Sequence, residues 1–106
     1  MGLFGFLSGP DINKGVEEWK NSKGSYLIDV RTKDEYKEGH IPGSINIPLN
    51  EIDKVIHTIT NRETKVFVHC LSGSRSSQAT SRMKRLGYTD VVNIGGISNY
   101  KGKVEV

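Results

Sequence analysis

The chain alternates between two hydrophobic periods, and that alternation leaves it very few architectures. Val66-Phe67-Val68 is an unbroken apolar run, the pattern of a strand covered on both faces. Ala79, Met83 and Leu86 follow at i, i+4 and i+7, the spacing of one helix face, which predicts a helix from Ser74 or Arg75 to Leu86 with Gly87 just past its end. The same succession occurs earlier. Tyr26 to Val30 reads as a strand, and Thr32 and Glu35 stand three apart as a capping box, predicting a helix over Lys33 to Glu38 that stops at Gly39. Ile41-Pro42-Gly43 is a turn, and Ser44 to Ile47 a short strand closed by Pro48. Asn50 is the expected N-cap of a helix with Ile52, Val55, Ile56 and Ile59 on its buried face. Further strands are expected over Lys65 to His69 and Val91 to Ile94, and a first helix from near Asn13 to before Gly24 carries Val16 and Trp19. Strands alternating with helices predict an α/β domain whose mostly parallel sheet is covered on both faces.

At 106 residues the chain has material for one core, so residues 11–106 are read as a single domain after a Gly-rich lead-in over residues 1–10. The sole cysteine, Cys70, excludes an internal disulfide, a CxxC pair and a Cys-rich zinc cluster, and His40, His57 and His69 have no ligand-like spacing, so no metal is expected. The net charge of +3 conceals an asymmetry: the basic residues prevail only after Asp53, and they are spread out rather than clustered with aromatics. Small anions are therefore better expected partners than nucleic acid. The apolar run Leu3 to Leu7 is interrupted by Gly5, is too short to cross a bilayer and lacks a charged flank, while Gly2 is followed at position 6 by Phe where a myristoylation signal has Ser or Thr. No membrane association is expected, and the chain is read as cytoplasmic.

The pattern places Cys70 at the C-terminal end of a buried strand, where ligands gather in open parallel sheets. The stretch Cys70-Leu71-Ser72-Gly73-Ser74-Arg75 joins that strand to a helix, so its backbone N–H groups and the positive helix end converge on the centre of the loop. This is an anion cradle. A helix N-terminus and a neighbouring arginine lower a thiol pKa and supply thiolate, which makes Cys70 a candidate nucleophile. Gly73 permits tight curvature with a left-handed backbone angle, Ser72 and Ser74 offer hydroxyl donors, Arg75 offers a planar fork for an oxyanion, and Leu71 is a rim contact. The competing reading is plainer: a small buried hydrophobe at a strand end, an ordinary loop and a solvated arginine.

Three motifs make the chain resemble the rhodanese-like family over roughly residues 11 to 102. The first is Leu27-Ile28-Asp29-Val30-Arg31 followed by Glu35-Tyr36, Gly39-His40-Ile41-Pro42-Gly43-Ser44 and Ile45-Asn46-Ile47-Pro48. The second is the Cys70 to Arg75 loop. The third, Gly95-Gly96-Ile97 to Tyr100-Lys101-Gly102, is similar to the family's closing signature, with Tyr where many members have Trp. The resemblance implies a three-layer α/β/α fold with a mostly parallel sheet of about five strands. It also implies a thiosulfate sulfurtransferase-type enzyme: Cys70 takes a sulfane sulfur from thiosulfate or a persulfide and passes it to cyanide or a thiol, including a protein thiol. That chemistry calls for no cofactor, and the cradle's N–H groups suit the anionic persulfide. With no second cysteine in the sequence, no internal thiol intercepts it.

Outside the loop, Asp29 and Arg31 read as having a structural ion-pair role, with Glu35 or another nearby group as the partner of Arg31. His40 reads as a turn or backbone contact and His57 as helix surface. His69 should point away from the Cys70 thiol, because adjacent strand residues face opposite sides. Arg82, Lys84 and Arg85 read as a solvated helix face. Two alternatives remain from the sequence: a sulfur carrier or regulatory binding module of the same fold, and a phosphatase or arsenate reductase. The second is disfavoured because those enzymes use Cys-x5-Arg, whereas Cys70 to Arg75 is Cys-x4-Arg.

Overall fold

The computed structural model describes residues 9–106. The readings made for residues 1–8, including the Leu3–Leu7 run, Gly2 and Phe6, lie outside the described residues. Helix α1 (Ile12–Lys20) opens with the Asp11 side chain accepting the Asn13 N–H at 3.0 Å, which satisfies one of the free donors of the first turn. Strand β1 (Tyr26–Asp29) leads into α2 (Lys33–Glu38), where Thr32 and Glu35 form the reciprocal capping box. Strand β2 (Ile45–Asn46) follows, then a 3₁₀ segment (Leu49–Lys54), α3 (Val55–Thr58), β3 (Val66–Cys70), α4 (Ser74–Arg85), β4 (Val91–Gly96) and a closing 3₁₀ turn (Ile97–Asn99).

The four strands form one parallel sheet in the order β2-β1-β3-β4. Alternation sorts their side chains cleanly. Ile28, Val66, Val68 and Cys70 join Ile52, Val55, Ala79 and Met83 beneath α3 and α4, while Leu27, Phe67 and Ile94 meet Ile12 and Val16 of α1 on the other face. Gly15 permits that second contact: a Cβ there would stand 2.5 Å from the Ile94 Cβ. The result is the α/β/α layering expected, with four strands among the described residues where about five were anticipated. The segment after the closing turn supplies no fifth strand. From Lys101 on it is exposed, held by the Lys101 N–H donating to Asn13 Oδ1 at 2.8 Å and by an antiparallel bridge between Glu105 and His40.

One element differs from its prediction. The helix expected from Asn50 is a 3₁₀ segment kinked at Glu51 (φ −120°, ψ 16°), followed by the single turn α3. Val55, Ile56, Thr58 and Ile59 are β-branched and lose side-chain freedom in a helix, so packing rather than propensity sets the conformation. Ile52, Val55 and Ile59 are buried as their spacing required, and the Tyr88 hydroxyl donates to the Ile59 carbonyl at 2.5 Å to close the turn. No helix among the described residues is long and apolar enough to cross a membrane.

Candidate functional site

Cys70 is the last residue of β3 and has no exposed surface. Its side chain belongs to the core cluster, yet the sulfur is not left in an apolar environment. The Gly73 N–H donates to Sγ at 3.0 Å and the Ser76 hydroxyl lies 3.4 Å from it. Burial alone pushes the thiol pKa up. Hydrogen bonds from the Ser76 hydroxyl and from the backbone N–H groups of Ser76, Gly73 and Ser72 outweigh that cost and bring it below its ordinary value. The positive end of α4, twelve residues long, adds to the same field.

The loop presents donors inward because its carbonyls are held elsewhere. The Cys70 carbonyl meets His69 Nδ1 at 3.1 Å, and the Leu71 carbonyl accepts the Ser98 N–H at 3.1 Å. The Gly73 carbonyl accepts from Asn93 Nδ2 at 3.1 Å, from the Ser77 N–H at 3.1 Å and lies 3.0 Å from the Ser76 hydroxyl. Gly73 adopts φ +109°, a left-handed angle that side chains disfavour, at the turn from loop to helix. Gly96 lets β4 come against the loop: a Cβ there would stand 2.1 Å from the Leu71 oxygen.

Ser76 and Asn93 were not singled out from sequence. The one Ser76 hydroxyl proton faces competing acceptors, the nearest being Asn93 Oδ1 at 2.7 Å with Cys70 Sγ at 3.4 Å, and Asn93 Oδ1 also accepts the Gly95 N–H at 2.9 Å, so one amide fixes both the hydroxyl and the end of β4. The signal was an amide inside Val91-Val92-Asn93-Ile94, where a buried strand has little use for one unless it serves a bulge. The register does shift there, Val68 pairing with Asn93 and His69 with Gly95. Ser76 carried no such signal, since a serine in the first turn of a helix is commonplace. Replacing Ser76 with alanine removes the hydroxyl that Cys70 Sγ shares with Asn93 and moves the Cys70 titration to higher pH. At neutral pH less thiolate is then present, and alkylation by iodoacetamide should slow by about five- to tenfold. A pH–rate profile of alkylation coinciding with that of the unsubstituted protein would contradict this role.

The remaining loop residues are distributed as follows. Leu71 is 43% exposed and forms the rim. Ser72 and Ser74 are exposed, and neither hydroxyl is hydrogen-bonded to the sulfur among the described residues, so the Ser72 contribution is its N–H. Arg75 is not a free fork. Its Nη1 and Nη2 donate to the two carboxylate oxygens of Glu35 at 2.7 and 3.0 Å, and the hydrogen bond from Arg75 is the main reason the Glu35 pKa is lowered to about 2.

That pair decides between the partners expected for Arg31. Asp29, rather than Glu35, receives the Arg31 guanidinium, at 2.8 Å from Nη2 and 3.1 Å from Nε, while Arg31 Nη2 also donates to the Gly39 carbonyl at 2.8 Å. Strand register places His69 opposite Asp29, with Nε2 3.7 Å from the carboxylate and no hydrogen-bond partner among the described residues. Burial pushes the His69 pKa down more than the Asp29 charge pushes it up, so the ring stays neutral and faces away from the thiol. His40 stacks on Tyr36 at 3.8 Å with Nδ1 2.9 Å from the Tyr36 carbonyl, the backbone contact expected, and His57 is exposed. Arg82 is bound to Asp53 at 2.7 and 2.8 Å on an exposed face. Among the described residues no cluster of His, Cys, Asp or Glu has the geometry to hold a metal ion.

A backbone-lined sulfur cradle at the end of a central parallel strand matches the three sequence motifs, and the rhodanese-like domain model matches residues 12–103. The chain belongs to the rhodanese-like domain family. Among the relatives of this rhodanese-like chain, the thiosulfate sulfurtransferase PspE of Escherichia coli is 40% identical over 70% of this chain and 72% of its own length. YrkF of Bacillus subtilis, which bears the name of a sulfur carrier protein, is 38% identical over 74% of this chain, which spans only 43% of YrkF. A solved rhodanese with anions from E. coli superposes with a TM-score of 0.71 at 33% identity, covering 76% of this chain and 96% of that one. Relatives of this sequence thus bear the names of both a sulfurtransferase and a sulfur carrier.

Proposed function

We propose that this rhodanese-like chain is a sulfurtransferase that moves a sulfane sulfur from thiosulfate or a persulfide donor to cyanide or a thiol, through a persulfide on Cys70. The observation that carries the reading is the Gly73 N–H donating to the Cys70 sulfur at 3.0 Å, with the Ser76 hydroxyl 3.4 Å away and shared with Asn93. The same groups that stabilise a thiolate suit the anionic terminal sulfur of a persulfide. With thiosulfate, Cys–S⁻ attacks the sulfane sulfur, the S–S bond of the donor breaks, and sulfite leaves with its electron pair. Cyanide then takes the terminal sulfur as thiocyanate and restores Cys–S⁻. No proton, electron or cofactor is consumed in either step.

Cys70 has no exposed surface, and the exposed Leu71 and Ser72 form the rim on the side from which a donor approaches. The relationship to PspE supports the enzymatic form of the reading, and that to YrkF supports carriage of the same sulfur to a protein thiol. The partners in either case are a small anionic sulfur donor and a cyanide, thiol or protein-thiol acceptor. Thiocyanate release from thiosulfate and cyanide, measured beside hydrolysis of an aryl phosphate, tests the assignment. Thiocyanate turnover without phosphate release is expected. Phosphate release at a comparable rate would favour the phosphatase alternative despite the four-residue spacing.

A further inference from the structure

We propose that Glu35 sets the donor charge preference of this site, turning it from the thiosulfate dianion toward donors with a single negative charge, such as persulfides and thiosulfonates. The inference rests on the sulfur-transfer reading and adds a specificity residue to it. Arg75 is the guanidinium nearest in sequence to the cradle, and its field reaches the sulfur, since the Cys70 charge helps hold the Arg75 proton. Yet both nitrogens of its fork are occupied by Glu35, which stays ionised well below neutrality. The second guanidinium, Arg31, is consumed by Asp29 in the same way, and His69 is neutral. Lys33 and Asp34 on α2 are exposed and cancel each other in sign.

Each of the two guanidiniums is therefore matched by a carboxylate: Arg31 by Asp29 and Arg75 by Glu35. Thiosulfate brings two negative charges toward a thiolate, and beyond the cradle N–H groups and the positive end of α4 neither guanidinium is left unmatched to offset the repulsion. A methanethiosulfonate anion delivers the same sulfur, leaving as methanesulfinate, and carries one negative charge less. Glutamine at position 35 keeps the capping box, because its side-chain carbonyl still accepts the Thr32 N–H that Glu35 now takes at 2.9 Å. It removes the charge and releases Arg75 Nη2, whose acceptor is the other carboxylate oxygen, leaving Nη1 a neutral acceptor only.

The experiment compares kcat/KM for thiosulfate and for methanethiosulfonate, with cyanide as acceptor, in the wild type, Glu35→Gln and Glu35→Gln/Arg75→Gln. The thiosulfate-to-methanethiosulfonate ratio should rise about three- to tenfold in Glu35→Gln, mainly through KM for thiosulfate, and return to the wild-type level or below in the double variant. Salt gives a second reading that needs no variant. In the wild type, raising ionic strength should raise the ratio, whereas a net-positive mouth would make it fall. An unchanged ratio in Glu35→Gln, or a falling ratio with salt in the wild type, overturns the proposal while leaving sulfur transfer intact. A wild type that takes sulfur from neither donor overturns both.

Discussion

Cys70→Ser is expected to abolish sulfur transfer with every donor while leaving the fold in place. Serine is nearly isosteric with cysteine, and the Gly73 N–H and Ser76 hydroxyl that now meet Sγ would meet its hydroxyl oxygen, so the stability change should stay within about 1.5 kcal/mol. The chemistry does not survive the exchange. A serine hydroxyl is un-ionised at neutral pH and forms no persulfide, so no intermediate is available at any donor concentration. Thiocyanate production and the unfolding midpoint, measured on one preparation, check both halves of the expectation. Residual turnover above that of free reagents would mean that the sulfur is carried elsewhere. Loss of folding would mean that Cys70 serves mainly as core filling beside Val68 and Ala79.

Asp29→Ala should be among the most destabilising single substitutions in the chain. Asp29 has no exposed surface, and its carboxylate accepts from the Arg31 backbone N–H at 2.9 Å as well as from the guanidinium. Without it, a guanidinium only 5% exposed keeps the Gly39 carbonyl and little else, a loss of about 3–5 kcal/mol. For a domain of this size the melting temperature should fall by roughly 12 °C or more. Denaturant midpoints give the direct measure. Asp29→Leu/Arg31→Met, which removes both charges, should recover part of the loss, because the penalty comes from the orphaned charge rather than from the missing pair. Equal destabilisation by single and double variants would contradict that account.

The parts of this molecule legible in its sequence are those fixed by local chemistry. The capping box at Thr32 and Glu35 set α2 to the residue, because its two hydrogen bonds span three positions and need nothing else. The continuous run at Val66 to Val68 marked the central strand, since only a doubly covered strand has no polar face. Alternation also turned His69 away from the thiol, as the structure has it. What remained illegible depends on chain segments far apart in sequence. Glu35 reaches Arg75 across forty positions, so nearness in sequence pointed instead to Arg31. Ser76 and Asn93 meet only because β4 carries a register shift beside α4. The expected Asn50 helix failed for the opposite reason: its apolar spacing was right, and its β-branched residues were satisfied by burial in a kinked segment.

The cradle's groups act directly on one sulfur atom, and the intact mass of the purified protein tests that account most directly. After incubation with a sulfane donor and removal of excess reagent, the wild type should gain the mass of a single sulfur, lose it on adding cyanide, and show neither change as Cys70→Ser. A wild type whose mass never rises with thiosulfate, thiosulfonate or persulfide donors would contradict the persulfide on Cys70.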